Sequence, residues 1–121
     1  GYAVAVEFDD ASGLVAGTDV RMAGVKVGTV ASQALDPITY YAKVVLQIDN
    51  AIELPSDTSA RIIPQGLLGG NFVALEPGAE EEMISKDGEG SIQYAQGAIN
   101  VVDLLGRFIF SAADAASSGS E

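Results

Sequence analysis

Apolar and polar residues alternate along most of the first 97 positions, which is the pattern of half-buried β-strands. The clearest case is Tyr40–Asp49, where one face carries Tyr40, Ala42, Val44, Leu46 and Ile48. Further strands are predicted at 2–8, 20–23, 25–35, 58–63, 71–75 and 91–94. Seven short strands with frequent turn signals predict an all-β fold, either a small seven-stranded β-barrel or a sandwich.

The third strand changes phase at Gly28. Val25 and Val27 share one phase of the alternation, whereas Val30 and Ala34 share the other. A glycine at a phase change inside a strand indicates a bulge or a sharp bend. This feature favours the barrel over the sandwich.

After the last strand the period changes from two to that of a helix. Asn100 is a suitable N-cap, and an apolar stripe at helical spacing follows it, formed by Val102, Leu105, Phe108 and Ile109. We therefore expect a barrel domain over 1–97, a C-terminal amphipathic helix over 98–116 and a disordered tail over 117–121. The helix has two alternative partners, its own barrel or a neighbouring subunit.

Two adjacent leucines, Leu67 and Leu68, lie between glycines in the link from the fifth to the sixth strand. Gly66, Gly69 and Gly70 permit tight turns, so we expect them to shape a loop that carries the leucines out of the sheet. Burying one leucine is worth roughly 1.5–3 kcal/mol, so the pair needs a cover. The alternatives are the protein's own core, other copies of the chain, a membrane or an apolar ligand.

Composition limits the partners of this single domain of 121 residues. The chain carries 17 acidic and 6 basic residues, a net charge of -11. Phosphates and anionic lipid surfaces attract basic segments, so nucleic acid is not expected as a partner. A role at a membrane would need a tether or apolar contacts.

Residue types that carry most catalysis are absent from the sequence. There is no histidine and no cysteine, which excludes thiolate metal sites and nucleophiles paired with histidine. Asp9, Asp10 and Asp36 are the remaining acid/base candidates, but they lie at turns, where aspartate is common. The acidic stretch 79–90 does not match a calcium loop and is interpreted as a solvated loop. We expect neither an enzyme nor a metal or cofactor.

No apolar run approaches the roughly 18 residues that a membrane-spanning helix requires. The sequence begins at Gly1 directly within a strand pattern and without an initiator methionine. We therefore expect a soluble piece excised from a longer protein, whose preceding part, including any membrane anchor, is not in this sequence.

Four stretches together resemble the MCE family of lipid transport proteins. They are Phe8–Leu14, Gly24–Val30, Gln65–Gly69 and Leu104–Gly106, and the resemblance extends from Tyr2 to Phe110. It implies a seven-stranded barrel and a homohexameric ring with a central hydrophobic pore. In this family the loop that corresponds to Gly66–Gly70 enters the pore, which implies that Leu67 and Leu68 contact lipid.

The resemblance also implies a cellular context. A single N-terminal transmembrane helix would anchor the ring in the inner membrane of a Gram-negative cell, facing the periplasm. Its expected partners are the permease and ATPase subunits of an ABC transporter and a soluble periplasmic lipid carrier. Its expected role is phospholipid transport that maintains outer-membrane asymmetry. The alternative from the residues alone is a monomeric interaction or ligand-binding barrel that uses the leucine loop as a docking knob.

Overall fold

The computed structural model describes residues 1–66 and 70–98. Leu67, Leu68 and Gly69 lie outside the described residues, as does nearly all of the predicted helix and the whole predicted tail. The described part is all-β, which confirms the predicted fold class. The strands are β1 (Tyr2–Phe8), β2 (Asp19–Met22), β3 (Val25–Leu35), β4 (Ala42–Ile48), β5 (Ser59–Pro64), β6 (Asn71–Glu76), β7 (Gly90–Ile92) and β8 (Tyr94–Gln96).

The strands form one sheet in the order β7-β1-β4-β3-β2-β6-β5-β8. The sheet curls into a nearly closed barrel because its two edge strands are consecutive in the chain. β7 pairs with β1, β8 pairs with β5, and Gln93 alone separates β7 from β8. The single closing strand predicted at 91–94 is therefore two short segments, each of which pairs with a different neighbour.

Alternate side chains from β1 and β4 fill much of the barrel interior. In β1 the inward residues are Val4, Val6 and Phe8, each at most 1% exposed. β4 contributes Val44, Leu46 and Ile48, which are fully buried. Because the side-chain period of a strand is two, the residues between them face outward. The predicted alternation of the first and fourth strands thus corresponds to the core.

The bend in β3 comes from two register shifts. Val20 pairs with Gly28 and Arg21 with Lys26, so Val27 is the extra residue on the β2 side. Ala31 is the extra residue on the β4 side. A Cβ atom on Gly28 would collide with the backbone carbonyl of Gln47. Gly28 thus permits close approach of two backbones beside the bulge that the sequence predicts.

Tyr40 departs from the sequence prediction. The alternating pattern places it in the fourth strand on the buried face, but β4 begins at Ala42 and Tyr40 is 74% exposed. Tyr40 has a φ of 62° and its N–H donates to the carbonyl of Asp36 at 2.9 Å. The turn between β3 and β4 therefore interrupts the alternation before the strand begins.

The strand directions sort the connections to two ends of the barrel. β1, β3, β5, β7 and β8 run towards one end, which carries the loops 9–18, 36–41 and 65–70. We call it the apolar end, because several large apolar side chains are exposed there. The other end carries 23–24, 49–58 and 77–89, and we call it the acidic end.

Candidate functional site

The base of the leucine loop is a hydrogen-bonded β5–β6 turn at the apolar end. The N–H of Gln65 donates to the carbonyl of Gly70 at 2.9 Å, which continues the pairing of Pro64 with Asn71. Gly66 has a φ of 149°, a conformation that residues with a side chain rarely adopt. The loop is therefore short. Its four residues, 66–69, lie between the hydrogen-bonded residues Gln65 and Gly70.

Asn71 fixes this base to the β1–β2 loop. Its side-chain amide Nδ2 donates to the carbonyl of Ser12 at 2.6 Å, and its backbone N–H donates to the carbonyl of Gly13 at 3.5 Å. No local sequence pattern marks Asn71 for this contact. Its one available signal was position, since it is the first residue of the strand that follows the loop.

The β1–β2 loop is itself anchored at several points. Asp10 accepts hydrogen bonds from the Ser12 hydroxyl and from the Ser12 N–H, and these two bonds lower the pKa of the Asp10 carboxyl. Leu14 is 3% exposed, and its carbonyl accepts from Nε2 of Gln33 at 2.8 Å. A buried side chain and several hydrogen bonds thus fix the β1–β2 loop, to which Asn71 joins the base of the leucine loop.

The C-terminal end of the described residues contacts the same β1–β2 loop. The N–H of Ala98 donates to the carbonyl of Asp10 at 2.7 Å. The helix residues Val102, Leu105, Phe108 and Ile109, predicted from their spacing, lie beyond this point and outside the described residues. The leucine loop and the C-terminal segment therefore both begin beside residues 10–13.

Large apolar side chains are exposed at the end of the barrel that carries the base of the leucine loop. This end carries Val15 (63% exposed), Leu35 (65%), Ile38 (86%), Tyr40 (74%) and Tyr41 (47%). Apolar surface of this kind, when contiguous, marks sites of contact with proteins, membranes or ligands. The other end exposes Val25 (64%) and Met83 (43%), so most of the exposed large apolar side chains among the described residues lie at the apolar end.

Carboxylates cluster at the acidic end instead. Its loops carry Asp49, Glu53, Asp57, Glu80, Glu81, Glu82, Asp87 and Glu89. The stretch predicted as a solvated loop is anchored by Ile84, which is 7% exposed and whose N–H donates to the carbonyl of Leu54 at 2.7 Å. Among the described residues no group of three or more carboxylates could hold a metal ion.

The acid/base candidates are ordinary turn residues in the structure. Asp36 accepts from the N–H groups of Ile38 and Thr39, at 2.8 and 3.3 Å, and these bonds lower the pKa of its carboxyl. The pKa of Asp10 is lowered in the same way. A carboxyl with a lowered pKa is charged at neutral pH and is a poor proton donor. Asp10 and Asp36 therefore act as caps of their turns.

Comparison with known proteins decides the family. Residues 1–78 match the family described as "MlaD protein". This chain belongs to the MlaD protein family. It is 38% identical over 114 residues to the Escherichia coli K12 "Intermembrane phospholipid transport system binding protein MlaD", which covers 90% of this chain and 62% of the relative. The protein of the same name in Haemophilus influenzae is 32% identical over 111 residues, or 90% of this chain and 66% of the relative.

The predicted resemblance to the MCE family is confirmed, and within it the MlaD type is the one that matches. The chain spans less than two thirds of the length of these curated relatives. The fold is similar to that of a chain in the solved "Acinetobacter MlaFEDB complex in ATP-bound Vtrans1 conformation". The TM-score is 0.78 at 21% identity, over 88% of this chain and 80% of that chain.

In the part of the chain that the structure describes, no helix has the length and apolarity needed to cross a bilayer.

Proposed function

We propose that this chain is the ring-forming subunit of an intermembrane phospholipid transport system. Six copies would form a ring in which Leu67 and Leu68 line a central hydrophobic pore, with Gly66, Gly69 and Gly70 shaping the loop. The observation that carries the proposal is the β5–β6 turn, which is braced by Asn71 and lies at the end of the barrel with the exposed apolar side chains.

The chemistry of the two ends supports passage of acyl chains. An apolar constriction accommodates acyl chains and excludes ions, because an ion loses its hydration there. Copies arranged around a symmetry axis would also cover each other's leucines, which explains how one chain tolerates an apolar loop tip. The acidic end does not interfere, since its carboxylates lie at the opposite end of the barrel from the loop.

The relatives support the wider assignment. The E. coli and H. influenzae proteins are named as binding proteins of an intermembrane phospholipid transport system, and the similar fold comes from an MlaFEDB complex. We propose that this chain likewise faces the periplasm from the inner membrane, held by one N-terminal transmembrane anchor. There it would act without enzymatic activity of its own, between an ABC transporter of permease and ATPase subunits and a soluble lipid carrier, and so maintain outer-membrane asymmetry.

The experiment is native mass spectrometry of the 121-residue chain purified without added lipid. We expect a hexamer that carries phospholipid mass. The variant Leu67→Asn with Leu68→Asn should keep the ring and lose the lipid. The matched control is Leu35→Asn with Ile38→Asn, which removes two exposed apolar side chains at the same end and should retain the lipid.

A lipid-free monomer would contradict the proposal and favour a docking knob on an interaction barrel. Failure of the double asparagine variant to fold would show that the leucines belong to the core.

The C-terminal segment gives a second test. Its predicted apolar stripe needs a surface to cover, so deletion of Asn100–Glu121 should weaken the ring. An equally stable ring after the deletion would mean that the segment packs elsewhere. Dilution followed by mass measurement distinguishes the two results, because a weaker ring dissociates at a higher protein concentration.

A further inference from the structure

Two walls of the barrel differ in charge and shape. One is centred on β5 and the other lies over β7 and β1, and they are separated by β8 on one side and by β6, β2, β3 and β4 on the other. The outer faces of the two walls therefore point in different directions. A head-to-tail ring needs two different faces on each copy, since each copy offers one face to each neighbour.

The outer face of β5, β6 and β2 is the arginine wall. It carries Arg61, Ile63, Phe72, Ala74 and Arg21, together with the acidic partners Asp19 and Glu76. Arg61 lies opposite Ala74, and Ile63 opposite Phe72, on the sheet surface away from the core. The guanidinium of Arg21 lies 4.4 Å from the centroid of the Phe72 ring and 3.1 Å from the carboxylate of Asp19. Arg21 is therefore already engaged within its own chain.

Arg61 is held much less firmly than Arg21. Its nearest carboxylate is that of Glu76 at 3.9 Å, and the two side chains are 49% and 70% exposed. Exposed ion pairs of this kind contribute little to stability. Arg61 is therefore available to a carboxylate of another molecule.

The second wall carries a groove of about 560 Å³ over β1 and β7. Ala5 and Ser91 form a floor of small side chains, and Glu7 and Glu89 line the groove as well. Lys43 lies opposite Glu7 in register and also lines it. Within residues 1–66 and 70–98, neither glutamate has a basic group within 4.0 Å.

The heights of Arg61 and of the groove floor along the barrel agree. β1 and β5 run towards the same end, where they finish at Phe8 and Pro64. Ala5 and Arg61 each lie three residues before those ends. A rotation about an axis parallel to the barrel keeps each residue at its height, so it would bring Arg61 of one copy to the groove floor of the next.

We propose that Arg61 enters the groove between Glu7 and Glu89 of a second copy of this chain, and that this contact joins the copies of the ring. The inference rests on the proposed ring. Small floor residues leave room for the long side chain, and the two glutamates supply the opposite charge. A guanidinium and carboxylate that are partly desolvated at an interface form charge-assisted hydrogen bonds, which are stronger than neutral ones.

The test measures native mass at neutral pH for two charge-reversed variants and for their mixture. Arg61→Glu alone should fall from the ring to a single chain of 12.4 kDa, and so should Glu7→Arg with Glu89→Arg. Mixed in equal amounts and annealed, the two variants should form a ring again, in which they alternate, because every junction then joins opposite charges. The matched control is Glu80→Arg with Glu81→Arg, which changes the net charge equally at the acidic end and should keep the ring.

The outcomes distinguish a failure of the proposed function from a failure of the contact alone. A wild-type chain that forms no ring overturns the proposed function together with this contact. A wild-type ring that survives Arg61→Glu at unchanged mass overturns the contact alone. Single variants that are folded by circular dichroism, and that stay monomeric when mixed, also overturn it, because complementary charges then fail to restore the junction.

Discussion

The two ends of the barrel are built from the same strands but expose opposite chemistry. At the acidic end the loops 49–58 and 77–89 are tied to the core by Leu54, which is fully buried, and by Ile84. At the apolar end the β3–β4 turn leaves Ile38 86% exposed. The acidic end thus buries Leu54 and Ile84 and exposes two large apolar side chains, Val25 and Met83, whereas the apolar end exposes five.

This difference shows why net charge is a poor guide to the partner of this protein. A charge of -11 argues against contact with anionic lipid, but most loop carboxylates lie at the end away from the leucine loop. Both ends nevertheless use aspartate in the same structural way. Asp57 caps the N–H groups of Ala79 and Glu80 at one end, as Asp10 caps Ser12 at the other.

The largest expected difference between the ends is in packing. Leu54→Ala should destabilise the fold by about 2–5 kcal/mol, because it leaves a cavity under the acidic loops. Leu35→Ala at the apolar end, where the side chain is 65% exposed, should change the free energy of unfolding by less than about 0.5 kcal/mol. Urea denaturation checks both. Equal effects would mean that the apolar end is packed as tightly as the acidic one.

Asn71→Ala tests the brace under the leucine loop. Loss of its bond to the Ser12 carbonyl should cost about 0.5–1.5 kcal/mol and speed amide exchange at Gln65. Asn50→Ala at the acidic end is the matched control, since the Asn50 side chain makes no hydrogen bond among residues 1–66 and 70–98. Unchanged exchange at Gln65 in Asn71→Ala would show that the strand pairing alone holds the turn.

The pH dependence of stability tests the aspartate cap of the acidic end. The N–H of Ala79, and then that of Glu80, lower the pKa of the Asp57 carboxyl below its ordinary value of 3.8. Because this pKa is lower in the folded state, the contribution to stability is present above the unfolded pKa and is lost as pH falls through the folded pKa.

Asp57→Asn should therefore flatten the fall in stability between about pH 5 and about pH 2, measured by denaturation at each pH. Glu81→Gln should leave that fall unchanged, because its side chain makes no hydrogen bond or ion pair within the described ranges. A slope in Asp57→Asn as steep as in the wild type would argue against the cap.

The smallest effect is expected from the exposed carboxylates themselves. Replacement of Glu80, Glu81 and Glu82 by glutamine should raise stability by less than about 0.5 kcal/mol at low salt, since it relieves repulsion between like charges. The gain should vanish in high salt, where charges at the surface are screened. Thermal melts at two salt concentrations measure it, and a gain that persists in high salt would point to a cause other than repulsion.

Much of the fold follows from short-range patterns. Alternation identifies the strands and, in β1 and β4, the inward residues, because the side-chain period of a strand is fixed by its backbone. It fails at Tyr40, where a turn continues the alternation by chance. It also misses Leu54 and Ile84, because burial in a loop depends on which segments lie above it and not on a local period.

In the candidate site, too, some residues are recognisable from the sequence and others are not. Leu67, Leu68 and their glycines are recognisable because apolar residues between glycines contradict a strand pattern. Asn71 is not recognisable, since its partner Ser12 is 59 positions away. The same holds for Arg61, Glu7 and Glu89, which belong to separate segments of the chain.

The sequence by itself determined the all-β class, the seven strand regions, the special role of Gly28 and the kinship with the MCE family. Only the tertiary structure decided how the closing strand divides between β1 and β5, which loops share an end, and which charges lie on the same wall. The physical reason is the distance along the chain over which each effect acts. Periodicity and turn chemistry act over a few residues, whereas barrel closure places residues according to strand order and direction, and no local pattern encodes that order.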